Sequence, residues 1–281
     1  MVAYELSVVQ MRVGPDKADN LERAEHLVRE AARGAELVVL PELFNTSYQV
    51  DDWPSVAEPV PDGPTCGWLS RLARSLGIHL AGGSVAELHE GRVYNTATLW
   101  GPDGQLLLAH RKVHLFDVDV PGELTFSESS FMAAGDSVSV VQTALGGIGL
   151  AVCFDVRFPE LFRCMALRGA ELVVLPAAFN TTTGPAHWEV TLRCRAVENG
   201  LYLAACSPAP DPEVDYPAWG HSMVVDPWAT VLATTERDES VVRAVFERER
   251  LVQVRQALGL LRARRPEVYA EWGRVRTGTP G

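Results

Sequence analysis

Lysine is almost missing from this chain. Of the 25 basic residues among 281, only Lys17 and Lys112 are lysines, and the rest are arginine. Positive charge is itself in deficit: 36 acidic residues leave a formal net charge of −11, which excludes a basic nucleic-acid or anionic-membrane surface. No apolar run approaches the roughly 18 residues of a membrane span. The opening MVAYELSVVQ has neither a basic n-region nor a long apolar h-region. The five cysteines (Cys66, Cys153, Cys164, Cys194, Cys206) are odd in number and include no CxxC or zinc-type spacing, which argues against a disulfide framework or structural metal. These deficits predict a reduced, cytoplasmic protein with no metal, nucleic-acid partner or membrane anchor. A 47% hydrophobic content supplies a large core.

A coding bias explains the arginine excess, and it sharpens one position. The segment AHRKVHLFD keeps a lysine, a compact point charge where arginine is a planar fork.

One pattern recurs along the chain: an amphipathic helix, a glycine stop, then an apolar strand. It predicts helices over 19–33, 65–76, 157–168 and 187–199, ended by Gly34, Gly77, Gly169 and Gly200. Strand runs with turn signals lie between them, so the fold class is α/β, with layered sheets covered by helices. There is also an internal repeat: GAELVVLPELFN at 34–45 returns as GAELVVLPAAFN at 169–180. Two halves related by a pseudo-two-fold axis account for it. No Pro/Ser-rich linker divides them, so residues 1–281 are expected to form a single domain. A basic C-terminal extension, about 249–281, is expected to pack against a second copy.

The repeat acts as an internal control. Glu42 and Ala177 occupy equivalent positions after equivalent strands, so the scaffold does not need a carboxylate there. A solvated strand-tip acid is the plain reading of Glu42; partial burial would instead suit it to proton transfer near neutrality. Lys112 follows QLLLAHR and Cys153 follows GIGLAV, so three strand ends carry polar groups. An unpaired cysteine is most often a small core hydrophobe. Together, however, the three fill distinct roles: Cys153 as nucleophile, Glu42 as base and then acid, Lys112 as oxyanion stabiliser. An ordinary thiol ionises near pH 8.5 or so, which calls for a local cation and base. The N–H of Phe154, at the start of the expected next helix, is a second oxyanion donor.

At this point the chain resembles the nitrilase superfamily of carbon–nitrogen hydrolases. Its Glu–Lys–Cys triad matches LPELFN (Glu42), HRKVHLFD (Lys112) and LAVCFDVRFPEL (Cys153), in that order. Within the superfamily the chain is most similar to the omega-amidases, through KVHLFDVDVPGELTFSES, AFNTTTGPAHWE and SPAPDP…YPAWGHS. The resemblance implies an αββα four-layer sandwich that forms homodimers, needs no cofactor or metal, and hydrolyses small amides. It also implies that Glu128, which alone reads as a loop acid, positions Lys112 and the substrate nitrogen. GLAVCFDVRFPEL and GHSMVVDPWATV read equally like deaminated-glutathione amidases of the same superfamily, so substrate identity stays open between the two. A catalytically inactive scaffold is the non-enzymatic alternative, and the intact triad counts against it.

Other residues have plainer readings. His110 and His114 flank Lys112 off any helix, so a shared metal is not expected. His187 could serve a Cys–His hydrolase, but at a helix start after Gly184 and Pro185 it reads as a cap or pocket wall near the substrate. Cys164, Cys194, Trp188, Trp219 and Trp228 are expected in the core. Arg157, four residues after Cys153, is either an ion-pair partner of Asp155 or Glu160 or a bidentate clamp for a substrate carboxylate. The resemblance favours the clamp. A clamp calls for a small amide bearing a carboxylate, and the resemblance implies that this is an omega-amide of a short 2-oxo dicarboxylic acid.

Overall fold

Alternation along the first strand, β1 (Ala3–Gln10), sets the plan. Tyr4, Leu6 and Val8 face the central core, while Val9 joins the outer one and Ser7 donates to Ala31 O on the covering helix. The computed structural model describes residues 3–269 except 47, 49–52, 123, 212–213 and 215.

After β1 the first half continues through α1 (Lys17–Ala31), β2 (Leu37–Val39), α2 (Trp53–Val56), α3 (Pro64–Leu76), β3 (His79–His89), β4 (Arg92–Trp100) and β5 (Leu106–Arg111). A short ribbon, β6 (Asp117–Val120) and β7 (Leu124–Ser127), leads on. The second half runs β8 (Ser139–Thr143), β9 (Gly146–Leu150), α4 (Pro159–Leu167), β10 (Leu172–Pro176), α5 (Gly184–Asn199), β11 (Tyr202–Cys206), β12 (Met223–Val225) and β13 (Val231–Thr234). β14 (Ser240–Glu247) then returns to β1, and α6 (Arg248–Leu258) and α7 (Pro266–Tyr269) follow.

Two six-stranded sheets result, ordered β14-β1-β2-β3-β4-β5 and β8-β9-β10-β11-β12-β13. In each, the second to fourth strands are parallel and the flanking pairs antiparallel. The repeat thus maps β2 onto β10. Leu6, Val8, Leu37 and Val39 of the first sheet share one core with Leu150, Val174 and Ala204 of the second. Outside, α1 and α3 cover the first sheet with Ala24, Val28, Leu69 and Leu72, and α4 and α5 cover the second with Phe162, Met165, Leu192 and Ala196. This is the αββα sandwich. No helix among the described residues is long and apolar enough to cross a membrane.

Several expectations need correction. The helix expected over 157–168 spans Pro159–Leu167, because Phe158 precedes a proline and is pushed out of helical geometry. Residues 153–157 form a separate 3₁₀ turn, so Cys153 and Arg157 do not share an α-helix. The helix expected from 187 begins at Gly184. Cys164 and Cys194 are exposed, not core: α4 buries Leu161, Phe162, Met165 and Ala166, and α5 buries Trp188, Leu192 and Ala196, which leaves each cysteine on the outward stripe. Trp188 is buried, Trp219 only partly, and Trp228 is 51% exposed on the turn after β12. Of the C-terminal extension, 270–281 lie outside the described residues.

Candidate active site

The parallel strands of both sheets end on the same side, and the polar residues gather there. Glu42 follows β2 in a tight turn. Gly83 makes that turn fit: a Cβ there would lie 2.1 Å from Pro41 O, and its φ of +57° lies in the left-handed region that favours glycine. Ser84 completes the join, its Oγ accepting from the Leu43 N–H at 2.9 Å. Glu42 is 1% exposed, which removes the reading of a solvated tip.

Lys112 extends β5, its N–H donating to Asn95 O and its C=O accepting from Gly135, both at 2.8 Å. Its buried ammonium lies 3.1 Å from Glu42 Oε1 and 2.8 Å from Glu128 Oε2. Burial alone would lower its pKa; the charges of Glu128 and Glu42 more than offset that and hold it well above the ordinary lysine value. Glu128 is buried too, and its Oε2 accepts from the Phe116 N–H at 2.7 Å. Asn95, on β4, donates to Glu42 Oε1 at 2.8 Å. Glu42 Oε2 has no hydrogen-bond partner among the described residues. The Cys153 thiol and the Tyr48 hydroxyl both face this carboxylate.

Cys153 opens the 3₁₀ turn with φ +43°, a left-handed conformation costly for a non-glycine residue. It is 8% exposed and borders a small cavity. Phe116, Phe154, Arg157, Phe179, Asn180 and Tyr216 line the same space. Burial pushes the thiol well above its ordinary pKa, the Glu42 carboxylate pushes the same way, and Lys112 opposes them. Burial therefore favours the neutral thiol at Cys153. Phe154 is the second residue of the turn, where helical geometry leaves N–H groups without internal partners.

Arg157 reaches the cavity from the end of the turn. It has no carboxylate partner among the described residues, and Asp155 and Glu160 do not pair with it. Its guanidinium lies over the rings of Phe179 and Phe154, at 5.2 and 5.8 Å. Nη2 is 3.2 Å from His187 Nδ1. His187 is exposed, and it touches Arg157 without lining the cavity. His110 and His114 both turn to Asp155, at 3.1 and 2.8 Å.

The sequence reading missed Asn95 and Tyr216. An asparagine within the strand-like RVYNTATLW was the available signal, because strands disfavour it unless its amide has a task. Tyr216 lies in a loop and left no periodic trace.

Residues 5–256 match the family profile described as carbon-nitrogen hydrolase. The chain is 46% identical over 270 residues to omega-amidase NIT2 of Mus musculus, covering 96% of this chain and 98% of that protein. It is 45% identical over 271 residues, with the same coverage, to omega-amidase NIT2 of Homo sapiens. The crystal structure of Saccharomyces cerevisiae Nit3, a member of branch 10 of the nitrilase superfamily, superposes with a TM-score of 0.86 at 37% identity, covering 94% of this chain and 97% of that one. An amidase from Nesterenkonia sp. AN1, carrying acrylamide added to its active-site cysteine, superposes with a TM-score of 0.78 at 26% identity over 96% of this chain and 99% of that one.

Proposed function

The chain belongs to the carbon–nitrogen hydrolase family of the nitrilase superfamily, and on that premise we propose that it is an omega-amidase working through Cys153. The substrate is a short 2-oxo dicarboxylic acid omega-amide, 2-oxoglutaramate or 2-oxosuccinamate. Cys153 Sγ attacks the amide carbon while Glu42 takes the thiol proton. Because burial holds the thiol in its neutral form, the attack needs Glu42 to take that proton. Lys112 Nζ and the Phe154 N–H receive the oxyanion. Glu42 returns the proton to nitrogen, ammonia leaves, and a thioester remains. Water, deprotonated by Glu42, then attacks the thioester; collapse releases the oxo acid and restores the thiol. Glu128 holds the Lys112 ammonium in place throughout, and Arg157 pairs with the distal carboxylate.

One observation carries this reading: a buried acid and a buried ammonium meet at the Cys153 thiol, and that thiol shares a small cavity with a guanidinium that has no carboxylate partner among the described residues. A short oxo-amide suits so small a cavity better than deaminated glutathione, which has about twice the non-hydrogen atoms. The relatives named omega-amidase NIT2 support the same choice. Ammonia release measured across both short oxo-amides and deaminated glutathione tests it: a higher kcat/KM for deaminated glutathione overturns the substrate and leaves the triad standing.

Association into a homodimer through the C-terminal elements is part of this proposal. Val252, Leu258 and Leu260 expose apolar side chains there, and light scattering of the purified chain tests it. A cytoplasmic setting fits a reaction that depends on a free thiol.

A further inference from the structure

Asp155 is fully buried two residues after the nucleophile, and its carboxylate accepts four hydrogen bonds. Oδ2 takes the Val152 N–H at 3.0 Å and faces His110 Nε2 at 3.1 Å. Oδ1 takes the His114 N–H at 3.0 Å and His114 Nδ1 at 2.8 Å. Val152 directly precedes Cys153, whereas His110 and His114 stand two residues either side of Lys112. One carboxylate therefore holds both flanks of the lysine and the backbone of the strained cysteine. The histidines are fixed in turn: His110 Nδ1 meets Ser139 Oγ at 2.9 Å, and the His114 ring stacks on Phe158 at 3.6 Å. Burial would raise the Asp155 pKa, but the hydrogen bonds from His110 and His114 hold it well below the ordinary carboxylate range.

We propose that Asp155 is a positioning residue that registers the Lys112 segment against the Cys153 turn, so that ammonium and thiol meet the same carbonyl. The inference rests on the Cys153–Lys112 reading and adds a residue that touches neither substrate nor reacting atoms. Nucleophile and oxyanion donor stand on different sheets, and Asp155 ties their two segments together directly. A misplacement of about 1 Å between such groups costs on the order of 10²-fold in rate.

Asp155→Asn tests it. The side chain keeps its size, but one accepting oxygen becomes an NH₂ that faces two donors. For the folded variant we expect kcat to fall roughly 10²-fold with KM within about threefold, because ground-state contacts at Arg157 are untouched. Alkylation of Cys153 by iodoacetamide should slow in parallel. A purely structural role would lower thermal stability and leave kcat near wild type; that result overturns the proposal. His114→Phe guards against misfolding, since it keeps the stack on Phe158 and the backbone N–H but removes Nδ1. It should lose about tenfold in kcat with little change in KM, and an unchanged kcat overturns the proposal equally. Alkylation of the wild-type enzyme separates the two readings. If Cys153 shows no substrate-protectable reaction, the triad reading fails; if it does and the variants match wild type, only the role of Asp155 fails.

Discussion

Replacing Lys112 by arginine keeps the charge and changes only its shape. The three N–H bonds of the ammonium have separate destinations. One goes to Glu42 Oε1 at 3.1 Å, one to the Glu128 carboxylate at 2.8–3.0 Å, and the third is left for the oxyanion of the proposed reaction. A guanidinium offers a planar fork, and the Glu128 carboxylate would engage it bidentately, drawing the donors away from the oxyanion. Losing one oxyanion donor costs about 2.7–4 kcal/mol in the transition state, or roughly 10²–10³ in kcat. The larger head must also enter a fully buried site, and overpacking of this kind costs about 1–3 kcal/mol of stability. The assay is ammonia release at saturating 2-oxoglutaramate, paired with thermal unfolding. A folded Lys112→Arg enzyme with kcat within about threefold of wild type would remove Lys112 from the oxyanion role.

Other outcomes follow from the same geometry. Iodoacetamide, a small amide itself, should label Cys153 in a phase that substrate blocks; exposed Cys164 and Cys194 should label without protection, and Cys66, pushed up to about 11 by burial, should stay inert. Mass spectrometry of the labelled peptides checks this, and substrate-independent labelling of Cys153 counts against it. Exhaustive chelation should leave turnover unchanged, because side chains and a backbone N–H fill every role; loss of activity restored by zinc would contradict that. Asp155 has a depressed pKa in the fold, so its stabilisation is present above the ordinary aspartate value near 3.9 and fades as pH falls below it. The stability gap between wild type and Asp155→Asn should therefore narrow below about pH 4.

How much of this was legible beforehand depended on whether a signal was local. Residues 34–45 and 169–180 announced the two halves, since a repeated helix–strand unit leaves the same string twice. Glu42 was legible because its counterpart Ala177 showed that the strand end needs no acid. The turn at Cys153 was not, although Pro159 marked it: the break before a proline was the clue, and the run of helix formers after it masked the clue. The exposure of Cys164 and Cys194 was legible in principle from the apolar stripes of α4 and α5. Asp155 was not, because its four donors come from segments about forty residues away as well as from its own turn. Chain-distant hydrogen bonding leaves no periodicity to read.

The same logic extends to the seam between the sheets. Glu42 follows a strand of the first sheet and Cys153 a strand of the second, so their separation is set by how the sheets register. Three features at the carboxyl ends of the strands fix that register. Cys206 Sγ, on β11, lies 3.1 Å from Val9 O of β1. The Ala209 N–H donates to Met11 O at 2.8 Å. Gln10, fully buried at the end of β1, donates to Glu236 O and Asp238 O at 2.7 and 2.8 Å. Its Oε1 accepts from Ser222 N–H, Ser222 Oγ and Thr235 Oγ1 at 3.0, 3.0 and 2.7 Å. Ser222 and Thr235 flank β12 and β13 of the opposite sheet. Gln10→Leu keeps the bulk and leaves the Ser222 N–H and Asp238 C=O unmatched. At about 1–3 kcal/mol per unsatisfied group the loss is about 2–4 kcal/mol, since the Asp238 side of the seam reaches water. That corresponds to a fall in Tm of roughly 3–7 °C for a chain of this size. If the seam also sets the distance from Glu42 to Cys153, kcat should fall well beyond what the unfolded fraction explains at 25 °C. Ser70→Ala supplies the control, because it removes a hydrogen bond to Gly104 O on the outer face of the first sheet, away from the seam. It should lower Tm slightly and leave kcat alone. Equal kcat in the two variants at matched folded fraction would show that inter-sheet register tolerates the loss of Gln10.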